Sequence, residues 1–172
     1  MGKRDLKKYL AELDKEQISD QLLDLYDKFP EVKTYYDFVF KPNEEKLIGE
    51  AKAKISNEYF PIKSKRPKLR RSTAQKYIKH FLSLGVDSFA VADLMLYNIE
   101  VAQRYTAKRE MRYSSFYKSM FNSYEQAVNF IIANSLLSDF RKRLQSIDAV
   151  VQSQNWDNRY DFEVVTENIE EM

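Results

Sequence analysis

Four side chains near the middle of the chain could do acid–base chemistry together. Asp93, Tyr97, Glu100 and Arg104 follow one another at steps of four, three and four, so a helix puts them on one face. Two carboxylates beside a tyrosine and an arginine are suited to moving protons. The plainer expectation is an ion pair between Glu100 and Arg104 on the one wet face of a helix that is otherwise apolar. A carboxylate-bridged metal pair would need Glu-x-x-His elements on other helices, and the sequence has none.

A second set could hold an anion. Residues 63–80, opening with "KSKRPKLRR", carry eight cations and no acid: Lys63, Lys65, Arg66, Lys68, Arg70, Arg71, Lys76 and Lys79. Tyr59, Phe60, Tyr77 and Phe81 flank them. Cations that release counterions, with rings for stacking, are what a nucleic-acid strand requires. Arginine could grip phosphate with two bonds, and lysine would act as a point charge. The same charges suit a solvated connection between helices, or a partner for the acidic end of the chain. A charged connection is the first expectation, and nucleic-acid contact the second.

A third set is aromatic. Tyr113, Phe116, Tyr117 and Met120, with Phe121, recur at helical steps and could form an interaction strip, tyrosine and methionine being favoured in adaptable interfaces. The same spacing suits a core, which is the first expectation. Ser114, Ser115, Ser119 and Ser123 have no nearby base or glycine elbow, which argues against a serine hydrolase. His80 is the only histidine and cysteine is absent, which excludes multi-histidine metal sites, cysteine-based zinc and thiol catalysis. With three glycines, the chain has little material for phosphate-cradling loops, and no Walker, dinucleotide or HExxH motif occurs.

Helical periodicity dominates the elements that must position these residues. Asp14 and Gln17 have capping-box spacing ahead of Ile18, Leu22, Leu25, Tyr26 and Phe29, one apolar stripe. Pro30 suits the first turn of the next helix, and Pro42-Asn43 precedes another that begins with acids. Pro61 and Pro67 keep most of the basic run out of helix. Regular structure resumes at Ser72 and ends at Gly85, a good left-handed terminator. Asp87 or Ser88 caps residues 89–105, apolar nearly all round and so the most buried helix. A looser segment follows, then a second capping-box pair at Ser123 and Gln126, and a helix through "DFRKRLQSIDAVVQ".

The expectation is an all-α protein of about eight or nine helices, a helical bundle or a short solenoid of helical hairpins. Residues 1–156 read as a single domain, and 157–172 as an acidic tail, packed through Trp156, Tyr160 and Phe162 or frayed. Charge is uneven. Residues 63–118 hold 13 bases against 4 acids, and residues 144–172 hold 1 against 7.

"LDKEQ" at 13–17, "LLDLYDK" at 22–28, "EVKTYYDF" at 31–38, "PNEEKL" at 42–47 and "ADLMLYNIEVA" at 92–102 resemble an uncharacterised bacterial family of all-helical domains. The likeness spans residues 4 to 156 and includes the basic connection after Pro61. That family ends in an aromatic segment with glycine and tryptophan, whereas "NWDNRYDFE" keeps Trp156 without a glycine. The resemblance implies a fold and no chemistry.

Together these features suggest a non-catalytic protein-interaction or scaffold module, with a nucleic-acid-binding module using residues 63–80 as the alternative. An enzyme centred on Asp93, Tyr97 and Glu100 comes third. No cofactor is expected, and the partner is expected to be protein or, on the alternative, nucleic acid. The charged N-terminus has no apolar signal region, and Leu6 stands where myristoylation wants Ser or Thr. No run is apolar enough for a bilayer. A soluble, cytoplasmic protein is the expectation.

Overall fold

The computed structural model describes residues 2–63, 66–109 and 111–172. Lys65 of the basic run lies outside them. The described elements are all helices: α1 (Lys3–Ala11), α2 (Lys15–Lys28), α3 (Pro30–Phe40), α4 (Glu44–Tyr59), α5 (Arg71–Leu84), α6 (Ser88–Thr106), α7 (Ser114–Ala133), α8 (Leu137–Ser153) and α9 (Arg159–Glu170). The protein is all-α, a helical bundle.

Local chemistry sets most boundaries. The Asp14 carboxylate accepts the Gln17 amide at 2.8 Å, and the Gln17 side chain accepts the Asp14 amide at 3.0 Å, closing the capping box of α2. Pro30 is the first residue of α3, where its missing N–H costs nothing. Gly85, at φ 74°, ends α5 in the left-handed region. Asp87 then caps α6 by accepting the Phe89 and Ala90 amides at 2.8 and 3.2 Å. No helix among the described residues is long and apolar enough to cross a membrane.

The second capping-box expectation is corrected. Ser123 and Gln126 lie in the middle of α7, which starts at Ser114 and takes in most of the segment read as loose. The Ser123 hydroxyl donates back to the Ser119 carbonyl at 3.1 Å, as mid-helix serines do. Both side chains accept from Arg71 of α5, at 2.7 and 2.9 Å. Their spacing reflects a cross-helix staple, not a helix start.

The chain divides into two compact units, Met1–Asn43 and Glu44–Met172. In the first, α2 packs on α3, and the Tyr26 hydroxyl donates to Asp37 at 2.8 Å. None of its described residues is buried.

The second unit is built around α6, which contacts α4, α5, α7 and α8. Eleven α6 residues are buried, Leu94, Leu96, Ile99 and Val101 among them, so the helix is wrapped on most sides. Ala51, Ile55 and Tyr59 of α4 and Ala74, Ile78 and Phe81 of α5 supply facing apolar stripes. Each fully buried aliphatic or aromatic side chain stabilises the unit by roughly 1.5–3 kcal/mol.

The acidic segment 157–172 belongs to this unit. Its helix α9 packs on α7 and α8, burying Phe162 and Ile169 and leaving Tyr160 exposed. Trp156, just before α9, is buried among Phe116, Tyr117 and Phe162. The Tyr124 and Thr166 hydroxyls share a buried hydrogen bond of 2.8 Å.

Candidate functional site

The polar stripe on α6 forms, but not with the pairing its spacing suggests. Arg143 of α8 reaches Glu100 through Nε at 2.6 Å and Nη2 at 3.0 Å, and reaches Asp93 through Nη1 at 2.6 Å. The other Asp93 oxygen meets Lys52 Nζ of α4 at 2.5 Å. Arg104, expected to pair with Glu100, lies over the Tyr97 ring at 5.3 Å, and Lys52 lies over the same ring at 5.2 Å. A two-carboxylate set reached from α8 satisfies both acids better than one flexible i,i+4 neighbour would.

This arrangement ties three helices together. Burial alone would push the Asp93 carboxyl up, but the bonds from Lys52 and Arg143 outweigh it and hold the group below its ordinary range. A general acid or base needs a lone pair facing substrate and a pKa near the working pH. Asp93 has both oxygens engaged and is ionised. The stripe is therefore built as a clamp. Among the described residues, no group of three His, Asp or Glu side chains is placed to hold a metal ion.

The aromatic strip faces inward. Phe116, Tyr117 and Met120 are buried and Tyr113 alone is exposed, so the four do not make one surface. The Tyr117 hydroxyl donates to the Met111 carbonyl at 3.1 Å, and Tyr59 donates to the Met120 sulfur at 3.7 Å. His80 is exposed beside Phe81.

The basic run splits into anchoring and displayed residues. Arg70 forks onto Glu58 of α4, Nε to Oε2 at 3.0 Å and Nη2 to Oε1 at 2.8 Å. That fork holds the Glu58 carboxyl below its ordinary range. The Glu58 carbonyl also accepts the Lys68 and Leu69 amides, at 2.9 and 3.1 Å. Leu69 is held at φ 54°, a left-handed conformation costing an L-residue about 1–2 kcal/mol. The segment is pinned. Arg71 is spent on α7, and the Lys63, Lys68, Lys76 and Lys79 side chains are exposed, as is that of Arg66.

Pinning the segment against α4 leaves a cleft of about 430 Å³ between them. Its walls carry Lys54, Lys63, Arg66, Lys68 and Arg70, with Glu58 the one carboxylate among the described lining residues. Across the Pro61–Ile62 ridge lies a second cleft of about 420 Å³, with Phe60, Tyr105, Lys108 and Arg109 in its walls. Sequence spacing misses Lys54, Lys108 and Arg109, because they come from α4 and the turn that follows α6. The signal that was present is Glu58 itself, the last acid before the acid-free stretch and hence its natural anchor.

A helical unit whose long basic segment is tied back on one buried acid is the class this structure defines. The chain belongs to a family of unknown function, DUF6155, which it matches over residues 1–170. No curated protein and no solved structure matches it.

Proposed function

We propose that the protein is a protein-interaction module, acting in the cytoplasm, whose docking surface is the apolar face of α1–α3. One observation supports this reading most. Residues 1–43 carry Leu6, Leu22, Leu23, Leu25, Phe29 and Phe40 among other large apolar side chains, yet none of the described residues there is buried. Leu23 is 62% exposed and Phe40 73%. Units this small sit at the lower limit for a self-sufficient core. Apolar patches of this kind on a folded chain mark sites where another protein binds.

Site-specific photo-crosslinking in cells tests it. A photoreactive residue at Leu23 or Phe40 should give a discrete adduct with a partner protein, lost when Leu22→Asp is added. The same probe at Tyr160, exposed on α9, should not give that adduct. Adducts confined to the chain itself, or equal labelling from all three positions, would sink the reading.

A second reading is nucleic-acid binding by the basic segment, favoured by the cationic cleft. Arg70 and Arg71 leave its contact set because their guanidinium groups are engaged within the protein. Lys63, Lys68, Lys76 and Lys79, which are exposed, would carry the phosphate contacts. Binding to a labelled duplex that weakens steeply with salt would support it. A salt-independent association, or none at low salt, would end it.

A further inference from the structure

We propose that the paired clefts on either side of the Pro61–Ile62 ridge bind a nucleotide unit, its phosphate in the cationic cleft and its base against Phe60. The inference rests on the second reading and narrows it to one ligand chemistry, whether the nucleotide is free or part of a single strand.

Three observations point there. First, the cationic cleft is lined by Lys54, Lys63, Arg66 and Lys68, while Glu58, the one carboxylate among its described lining residues, and Arg70 neutralise each other. A concave wall of one sign focuses field and concentrates anions. It also costs self-repulsion, which a surface connection would relieve by spreading out. Residues 68–70 cannot spread, because the Glu58 carbonyl and carboxylate hold them in place.

Second, the ridge between the clefts is apolar and unprotected, with Ile62 92% exposed. Phe60 is 41% exposed and packs edge-on to Tyr105, with ring centroids 5.9 Å apart. An exposed ring steadied by another is a stacking platform for a base. Third, cations stand on the aromatic side too. The Arg109 guanidinium lies 5.4 Å from the Tyr105 centroid, and Lys108 lines the same cleft. A phosphate following the stacked base would meet them. Volumes near 420 and 430 Å³ suit one nucleotide unit or little more on each side of the ridge.

Titrations of the full chain with AMP, ADP, inorganic phosphate, a labelled twelve-nucleotide single strand and a duplex of the same sequence test the site. The wild type should bind the nucleotides or the strand saturably at low salt. Lys54→Ser with Lys68→Ser should weaken every phosphate-bearing probe and flatten the single-strand salt slope by about 1.4, the share of two cations. Phe60→Ala should weaken nucleotide and strand by roughly 5- to 150-fold, the value of one stacked base, and leave inorganic phosphate unchanged. These exchanges are at exposed positions, and circular dichroism confirms that each variant is folded. Higher affinity for the strand than for AMP and ADP assigns the strand as ligand. Equal affinity for ADP and the strand assigns the free nucleotide.

Duplex binding that ignores Phe60→Ala, without nucleotide binding, would overturn the inference and leave the broader nucleic-acid reading standing. Polyglutamate competing as well as the nucleotides would overturn it in favour of an acidic peptide. If no probe binds at low salt, the inference and the reading beneath it both fall.

Discussion

Arg70 closes on Glu58 in a fork of two hydrogen bonds, 3.0 and 2.8 Å, across twelve residues of chain. The carboxylate is nearly buried and the guanidinium about half exposed. Because Arg70 holds the Glu58 carboxyl below its ordinary value, the pair stabilises the fold above the unfolded value, about pH 4.3. That contribution is lost as pH falls through the lower folded value. In urea, Arg70→Met should therefore have a lower midpoint than wild type at pH 7, with the gap closing in acid. The Lys68 and Leu69 amides, which donate to the Glu58 carbonyl, should exchange faster in the variant. A gap that stays constant down to pH 3 would show that the fork contributes through packing alone.

The α6 clamp makes a sharper demand. Arg143→Met removes the bonds to Glu100 and one of the two cations on Asp93. The cost should be about 1–3 kcal/mol, below that of a fully buried pair because water reaches all three side chains. Arg143→Lys should recover part of it, having one ammonium to divide between two carboxylates. Combining Arg143→Met with Glu100→Gln should cost less than the sum of the two changes, since each already breaks the same contact. Strict additivity in denaturant unfolding would mean that the contact contributes little.

Phe162 tests whether the acidic end of the chain is integral to the second unit. Its side chain is buried against the Tyr124 and Trp156 rings. Phe162→Ala should cost about 3–5 kcal/mol. Thr166→Val, which strips one hydroxyl from the bond to Tyr124, should cost nearer 1 kcal/mol. Burial also pushes the Tyr124 phenol up to about 12, so ultraviolet titration should find it ionising well above the ordinary phenol value, about 10. A Phe162→Ala variant with wild-type stability would detach α9 from the core.

Amide exchange should separate the two units. The hydrogen bonds of α1–α3 have no buried apolar layer around them and should open at low free energy. Those of α6, with neighbours on most sides, should exchange only on global unfolding of the second unit. Protection of α1–α3 equal to that of α6 would contradict this. Protection that appears in α1–α3 only at high protein concentration would point to self-association and count against a separate protein partner.

Much of the fold was legible because local chemistry decides it. Asp14 with Gln17, Pro30, Gly85 and Asp87 act within one turn of themselves, and each stands where its type suggests. The buried character of α6 follows from its composition alone. Other features were hidden for physical reasons. The α6 acids have several cations in principle, and only the packing of α4 and α8 selects Lys52 and Arg143. Ser123 and Gln126 have the spacing of a cap but serve Arg71, a distinction no local pattern carries. The segment 159–170 has weak periodicity because its few buried residues rely on rings from α7. The clefts beside Ile62 depend on a segment folded back twelve residues onto Glu58, a tertiary contact that no local window of sequence contains.

Trp156 is the only tryptophan in the chain, is 1% exposed, and belongs to the second unit, whereas none of the described residues of the first is buried. Its indole N–H donates to Gln154 at 3.0 Å, and aromatic rings surround it. Intrinsic fluorescence excited at the indole therefore reports the second unit and is blind to melting of α1–α3. Far-ultraviolet dichroism sees the helices of both. Recorded together during heating, the two signals form a natural pair of spectroscopic channels, and their separation measures how independently the N-terminal helices come apart.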